Sequence, residues 1–432
     1  MISGGDFRFP VLVPISATVK ILILTALYPP LGGNGHDIRC RQVVAALSKR
    51  GHQLQVLTSN HRKPPMGVPG QKGVYRQLQL HDVEDIECRL GVSYAATYER
   101  ELANLRALYQ RLDGFRPDVV YVWNMHGVSK SLLLGLQDQG TPIVYDVHGN
   151  WLSPHVFELD PWFTWWQRNQ SLRSKCYQFY LRLIGSARRR LRHFPIGTVA
   201  DLDLSNASIC SESLRDDLVA NGLVQAASLP VLYPALDTNQ LLFKFAYQRA
   251  RKFMWAGRLN AAKAPGIALR AVGILKKRGI EVSLDFYGMG EPTVRRAMRN
   301  LIDASGLSDS VRMQGIRPGE LLSKYSQYDA LLFTSCCNDP FPITPLEAML
   351  SGLPVVLARD GGIEEITEDG ETALLYDAGD AEALADAMVR MIDLEDGGCA
   401  MAKKCMKNLQ AQHSLDAVVP QIEALLSAPI SE

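Results

Sequence analysis

The 432-residue chain has no run of about eighteen apolar residues, so no transmembrane helix is expected. Its eight cysteines, at 40, 88, 176, 210, 336, 337, 399 and 405, form no C-x-x-C pair and no zinc-type spacing. They scatter through apolar segments and read as small core residues of a reducing compartment, with no disulfide framework. Excess charge of either sign is also missing. Lys and Arg number 46 against 45 Asp and Glu, which leaves a net charge of +1. Nothing global draws the chain to nucleic acid, and any electrostatic role must come from local clustering. What remains is ordinary globular composition, 47% hydrophobic and 21% charged, in a chain long enough for two domains. Residues 1–19 form an extension in which 11–17 has the apolar character of a signal core, but Phe7-Arg-Phe-Pro10 and Lys20 fit a signal badly. We read the extension as a tail or an upstream start, and the localisation as cytoplasmic, with a peripheral place on the inner membrane face as an option.

Continuous apolar runs alternate with helical patterns along the whole chain. Residues 20–27 read as a first buried strand, followed by Tyr28-Pro-Pro-Leu-Gly-Gly-Asn-Gly35, a helix over about 37–49, Gly51 as its C-cap and a strand at 53–58. The Gly-rich turn lets backbone approach a ligand at the carboxyl edge of a sheet, but it is not G-x-G-x-x-G, and a plain strand–helix turn would look similar. Residues 60–115 hold polar loops and a helix near 98–112. Strands at 118–123 and 143–147 each end in a histidine, His126 and His148, where ligands of a doubly wound sheet sit. Runs at 207–210 and 229–233 close the first set, and 236–250 reads as a linker. A second set begins at 251–255 and continues at 282–287, 311–314, 330–334 and 354–358. Two sets of strands alternating with helices predict an α/β chain with two doubly wound, Rossmann-like domains facing a central cleft, at 20–238 and 250–405. A C-terminal helix over about 410–432 is expected to pack back on the first.

The densest stretch is 338–375. Thr344 is placed to cap a helix, Pro345 to occupy its first position and Glu347 to complete a capping box, with Gly352 and Pro354 stopping the helix before a buried strand. Such a start, just after the loop at Phe341 and Ile343, aims unpaired N–H groups at whatever lies above the sheet and favours phosphate. On the residues alone, Glu347 completes the cap and Asp339 turns the loop. Further back, Arg258 and Lys263 lie beyond a strand end and before a helix start, a fork of donors and a point charge suited to a diphosphate.

Asp339-Pro-Phe-Pro-Ile-Thr-Pro-Leu-Glu-Ala-Met349 resembles the Glu-Gly-Phe-Gly-Leu-Thr-Pro-Leu-Glu-Ala-Met segment of retaining GT-B glycosyltransferases of family 4. Gly352-Leu-Pro-Val, Gly361-Gly362 and Gly370-Glu-Thr follow at the family's spacing. Gly257-Arg-Leu-Asn-Ala-Ala-Lys263, Gly288-Met-Gly-Glu-Pro292 and Lys49-Arg-Gly-His52 match further motifs. The chain departs from the pattern with Asp339 for Glu, one methylene shorter, and with Pro340 and Pro342 for two loop glycines, which removes two backbone donors. The resemblance implies transfer of a sugar from a nucleoside-diphosphate sugar, UDP- or GDP-linked, to a hydroxyl acceptor, with retention and with neither cofactor nor metal. By it, Gly32 and Gly33 face the donor, Arg258 and Lys263 hold the diphosphate, and Gly288 and Ile316 lie at the nucleotide. Phe341, Ile343 and Thr344 form the donor loop, Glu347 holds the ribose, and His148 and Asp339 attend the sugar, with His126 second to His148.

The most individual stretch is 151–193, rich in Trp, Phe and Tyr and carrying eight Arg or Lys between Gln167 and His193 with no acidic residue. It fits an anionic membrane surface, a lipid-linked or anionic acceptor, or a solvated basic face over a core stripe. Nucleic-acid binding ranks low, because no recognised module surrounds it. Asp201-Leu-Asp203 has the spacing of a metal-binding D-x-D but reads as a turn or cap. Two further readings stay open: an epimerase or phosphorylase of the same fold, and a non-catalytic sugar-nucleotide-binding relative.

Overall fold

Apolar runs that open just after a turn residue become strands buried on both faces, as parallel sheets require. The computed structural model describes residues 18–31, 35–61, 71–81, 94–158, 160, 162–163, 172, 175–176, 179–180, 197–315 and 320–430. The chain divides into two compact units, Met1–Leu232 with Val419–Glu432, and Tyr233–Val418.

The first unit contains β1 (Lys20–Leu24), β2 (Gln53–Ser59), β3 (Val74–Leu78), β4 (Val119–Val122), β5 (Ile143–Val147) and β6 (Ala207–Ile209). They form one parallel sheet in the order β3-β2-β1-β4-β5-β6. The order reverses between β1 and β4, the point at which open α/β sheets leave a crevice beyond their carboxyl ends. Leu24 stands there in register with both Leu57 and Val122. The C-terminal helix Leu415–Ser427 carries Glu423, which accepts from Arg50 Nε at 2.5 Å and Nη2 at 2.8 Å. His52 Nε2 lies 3.0 Å from the same carboxylate, and His52 Nδ1 accepts from Val19 N. Burial alone would raise the Glu423 carboxyl, but Arg50 and His52 outweigh it and hold Glu423 below its ordinary value.

The second unit repeats the plan with β7 (Lys252–Arg258), β8 (Ser283–Met289), β9 (Val311–Gln314), β10 (Ala330–Phe333), β11 (Val355–Ala358) and β12 (Leu374–Tyr376). Their order, β12-β11-β10-β7-β8-β9, reverses between β7 and β10. Phe253, Trp255, Leu284, Phe286, Leu332 and Val356 belong to one core that the helices Pro265–Lys277 and Ala381–Asp393 cover. The reversal point therefore fixes where the loops after Arg258 and after Phe333 meet.

Three expectations change. The run at 229–233 is no strand, since only Val231 bridges to Ile209. Pro230 has no N–H to offer a ladder and Pro234 ends the run. Two short outer strands, β3 and β12, were not anticipated; Arg76 and Gln77 in the first break the apolar run that marks a buried strand. The stretch expected as a linker is packed on the second unit. Lys244 Nζ donates to Tyr328 O at 2.7 Å, Tyr247 Oη donates to Gly352 O at 2.8 Å, and Leu236 pairs with Ser414.

Candidate active site

β7 delivers Arg258, its last residue, to the solvent-exposed end of the sheet. The next turn is closed by Asn260, whose Oδ1 accepts from Lys263 N at 3.0 Å. Loops from β7 and β10 are then stitched together. Thr334 Oγ1 donates to Lys263 O at 2.8 Å while accepting from Trp255 Nε1 at 2.8 Å, and Cys336 N donates to Ala262 O at 3.0 Å. These bonds bring Lys263 Nζ onto Asp339 Oδ2 as an ion pair, with the two side chains 17% and 12% exposed. Burial pushes the Lys263 ammonium below its ordinary value; Cys337 opposes the shift and Arg258 adds to it. Direct contact with a carboxylate favours the charged form. Arg258 has no ion-pair partner among the described residues.

Asp360, which the sequence reading passed over, fixes this loop. Its carboxylate accepts from three successive backbone N–H groups, those of Cys337 at 3.3 Å, Asn338 at 2.7 Å and Asp339 at 3.4 Å. Gly361 follows in the left-handed region with φ +70°, and Gly362 N donates to Asp339 O at 3.1 Å. A Cβ on Gly361 would run into the Asp339 backbone, so only glycine lets the two loops close on each other.

The expected capping box does not form. The helix spans Ile343–Leu350, its cap residue is Pro342 with φ −74° and ψ 127°, and no side chain caps it. The fixed φ of Pro342 suits an extended cap and starts the helix one residue later, so Thr344 lies inside it. Glu347 points elsewhere: its Oε2 accepts from Tyr325 Oη at 2.7 Å. Burial raises the Glu347 carboxyl to about 7, against the lowering effect of that hydrogen bond. Ile343 and Thr344 keep free N–H groups at the helix start.

Other candidates divide. Phe341 is fully buried against Tyr233 and His413, at ring-centroid distances of 5.7 and 5.8 Å, so its side chain anchors the loop and only its backbone is available to a donor. Gly288 is needed for packing, since a Cβ there would overlap the Leu259 side chain. Ile316 lies outside the described residues, as do Gly32, Gly33 and most of 151–193.

In the first unit His148 is buried just beyond β5. Asp146 lies two residues earlier on the same strand face, its Oδ1 at 2.5 Å from His148 Nε2 and its Oδ2 accepting from Tyr121 Oη at 2.6 Å. Arg39, from the helix Gly35–Lys49, reaches both residues, contacting His148 Nε2 and standing 3.5 Å from Asp146 Oδ2. Asp146 was missed, although an Asp inside an otherwise apolar strand two residues before His148 is a signal that points to it; nothing local marks Arg39. His126 is exposed, and its backbone N–H donates to Asn124 Oδ1. Asp201 and Asp203 are spent on local turns, accepting from Thr198 N at 2.6 Å and Ser205 N at 3.0 Å.

Two family models match this chain, Glycosyltransferase Family 4 over residues 33–240 and Glycosyl transferases group 1 over residues 250–394. The chain belongs to the family 4 glycosyltransferases. The D-inositol 3-phosphate glycosyltransferase of Corynebacterium urealyticum is 30% identical to it over 182 residues, 41% of this chain and 42% of that protein. The amylovoran biosynthesis glycosyltransferase AmsK of Erwinia amylovora is 29% identical over 157 residues, 35% of this chain and 38% of that protein. The match thus spans less than half the length of these curated relatives. Among solved structures, sucrose-phosphate synthase from Thermosynechococcus elongatus superposes with a TM-score of 0.70 at 16% identity, over 94% of this chain and 98% of that one. HepE of Anabaena, solved in complex with UDP and glucose, gives 0.65 at 18% identity, over 95% and 100%. The two parallel six-stranded sheets of this family 4 chain are those of the GT-B fold.

The raised Glu347 carboxyl has a stability consequence of definite sign. Its folded value of about 7 lies above the ordinary 4.5, so its contribution is complete below about pH 4.5 and lost as pH rises through about 7. Glu347→Gln should remove that part of the fall in melting temperature between those values. An unchanged pH profile in the variant would show that Glu347 is not the group that titrates.

Proposed function

We propose that this family 4 glycosyltransferase moves a sugar from a UDP- or GDP-sugar to a hydroxyl acceptor, with retention at the anomeric carbon and without a metal ion. The observation that carries the reading is the Lys263–Asp339 pair, set four residues before an uncapped helix start and beyond the strand that ends in Arg258. Departure of a nucleoside diphosphate builds negative charge on the leaving oxygen while the anomeric carbon becomes cationic. Preorganised donors aimed at that charge lower the barrier most. Arg258 offers a planar fork, Lys263 a point charge, and Ile343 and Thr344 two backbone N–H groups. Asp339, held against Lys263, stands ready to accept from sugar hydroxyls and to offset positive charge at the anomeric carbon. Glu347, oriented by Tyr325, accepts from the ribose hydroxyls, and its ionised form does so better. No second carboxylate is offered here as a covalent nucleophile, so the leaving phosphate itself takes the acceptor proton on the same face. HepE, a neighbour in fold, was solved with UDP and glucose, which makes UDP the first nucleotide to try.

The acceptor side carries a second observation. Leu172 and Phe179 are 83% and 66% exposed, and Lys175 is exposed between them in the stretch richest in arginine. An apolar and basic face of this kind fits the surface of an anionic membrane and a lipid-linked acceptor. None of the described helices is long and apolar enough to cross a membrane.

Thermal-shift titration with UDP, GDP, ADP and their sugar conjugates should single out one nucleotide, because a ligand at a hundred times its dissociation constant stabilises the fold by about 2.7 kcal/mol. Glu347→Ala should lose that shift. With the donor identified, Arg258→Ala and Lys263→Ala should each lower kcat by about 10²-fold or more, and the product anomer should match the donor's. Donor binding without transfer or hydrolysis would replace the enzyme with a sugar-nucleotide-binding relative. For the acceptor side, sedimentation with vesicles containing anionic lipid should carry the wild type down and leave Leu172→Ser/Phe179→Ser in solution. Equal pelleting of the two would remove the membrane from the proposal.

A further inference from the structure

Asp146 and Arg39 have no part in the chemistry above, yet both are completely buried beside His148. A buried charge persists only when it is paired. The groups facing the imidazole are Asp146 on its own strand, Arg39 and His36 from the helix Gly35–Lys49, and Trp123 beyond β4. Tyr121 reaches the cluster through Asp146, the Asp37 carboxylate adds its charge at the edge, and burial first and Asp37 second push the Cys40 thiol up, so that it stays uncharged. Trp123 stacks on His148 with rings 5.8 Å apart and 17° from parallel, and the Arg39 guanidinium lies 4.8 Å above the Trp123 ring. The three form a stack that leaves the imidazole little freedom to turn.

Arg39 and Asp146 form a buried ion pair. A protonated His148 would set a second positive charge directly beside the Arg39 guanidinium in a fully buried cluster. Burial and Arg39 accordingly push His148 below its ordinary value against the pull of Asp146, while His148, Arg39 and Tyr121 together outweigh burial and keep Asp146 ionised. Nε2 then meets two neighbours, a carboxylate oxygen and a guanidinium. An unprotonated Nε2 at 2.5 Å from an ionised carboxylate would oppose lone pair to lone pair, whereas an N–H there makes a charge-assisted bond. A guanidinium N–H at the same nitrogen would oppose that proton, but Arg39 has a second acceptor in Asp146 Oδ2 at 3.5 Å, whereas the carboxylate oxygen facing Nε2 can only accept; we therefore assign the proton to Nε2. That leaves Nδ1 as a bare lone pair, buried and with no hydrogen-bond partner among the described residues. An unpaired buried acceptor is costly and calls for an explanation, a catalytic role among them.

We propose that Asp146 and Arg39 are positioning residues that lock His148 as the neutral Nε2–H tautomer and reserve Nδ1 to accept a hydrogen bond from a substrate hydroxyl. This rests on the proposed transfer and on the family resemblance that sets His148 beside the donor sugar. Asp146 supplies the orientation, and Arg39 supplies the neighbouring positive charge that prevents the ring from becoming an imidazolium, which has no lone pair to offer.

The test is long-range ¹H–¹⁵N correlation spectroscopy on the full chain labelled with ¹⁵N-histidine, His148 being assigned by its loss in His148→Gln. The wild type should show a protonated Nε2 and an unprotonated Nδ1 at neutral pH and at about pH 6, where a free imidazole is largely charged. In Asp146→Asn, Nε2 becomes the acceptor for Arg39 and the proton should move to Nδ1. In Arg39→Met, the ring should become an imidazolium paired with Asp146. A wild-type proton on Nδ1, a wild-type imidazolium, or variants with the wild-type pattern would overturn the locking. In transfer assays, Asp146→Asn should lower kcat by about 10²-fold, the scale of a correctly placed imidazole, with the donor KM little changed. If His148→Gln transfers at the wild-type rate, the assignment of Nδ1 to a substrate hydroxyl falls even where the spectra agree. If His148→Gln is slow but the proton sits on Nδ1, the locking falls and His148 keeps its place in the site.

Discussion

The second unit depends on one carboxylate. Asp360 gathers the N–H groups of Cys337, Asn338 and Asp339, and by doing so determines where the loop after β10 runs. A loop of this kind has polar backbone groups that must be satisfied somewhere, and water would satisfy them in many conformations. A single ionised acceptor satisfies three in one conformation, through charge-assisted bonds stronger than neutral ones. Gly361 then allows the backbone after Asp360 to touch the backbone of Asp339. The Lys263–Asp339 pair, the extended Pro342 and the helix start at Ile343 all follow from that clamp. Lys263 cannot find Asp339 unless the loop is already shaped.

Two carboxylates in this chain are buried by opposite means. Asp146 remains ionised because a guanidinium, a phenol and an imidazole surround it. Glu347 has a single phenol, and desolvation prevails, raising its carboxyl to about 7. The difference suits different tasks. Asp146 must hold a neighbouring ring in one state whether or not substrate is present. On the proposed function, Glu347 has to accept two hydroxyl groups when they arrive, and a carboxylate already saturated by cations would have no lone pairs to spare.

Much of this was legible in the chain. Apolar runs placed ten of the twelve strands among the described residues, because strands buried on both faces of a parallel sheet carry no alternation to confuse the pattern. Arg258, Lys263 and His148 stood out because each lies beyond a strand end, and Asp339 through the resemblance of its loop to the family motif. What the sequence hid were partnerships across the fold. Tyr325 and Glu347 are twenty-two residues apart, Arg39 and Asp146 one hundred and seven. No spacing rule connects such positions, since the sheet topology brings them together. The capping box misled for a local reason. Thr344-Pro-Leu-Glu347 satisfies the pattern, but Pro342 supplies the extended cap one residue before the helix begins, and the glutamate is drawn to a tyrosine from another loop.

Pro342, the second of the loop prolines, gains a meaning from that helix start together with Pro345. Of the four N–H groups that a helix leaves unpaired at its beginning, those of the cap and the third residue belong here to Pro342 and Pro345, which have none. Ile343 and Thr344 are the only backbone donors left. A terminus so reduced carries a smaller desolvation cost while empty, and so needs no side-chain cap. It also offers a bound phosphate only two backbone bonds. On the proposed function, the hold on a diphosphate therefore rests more on the side chains of Arg258 and Lys263 than a glycine-rich loop would require. Lys263, tethered to Asp339, is the one of the two already held in place before any ligand arrives.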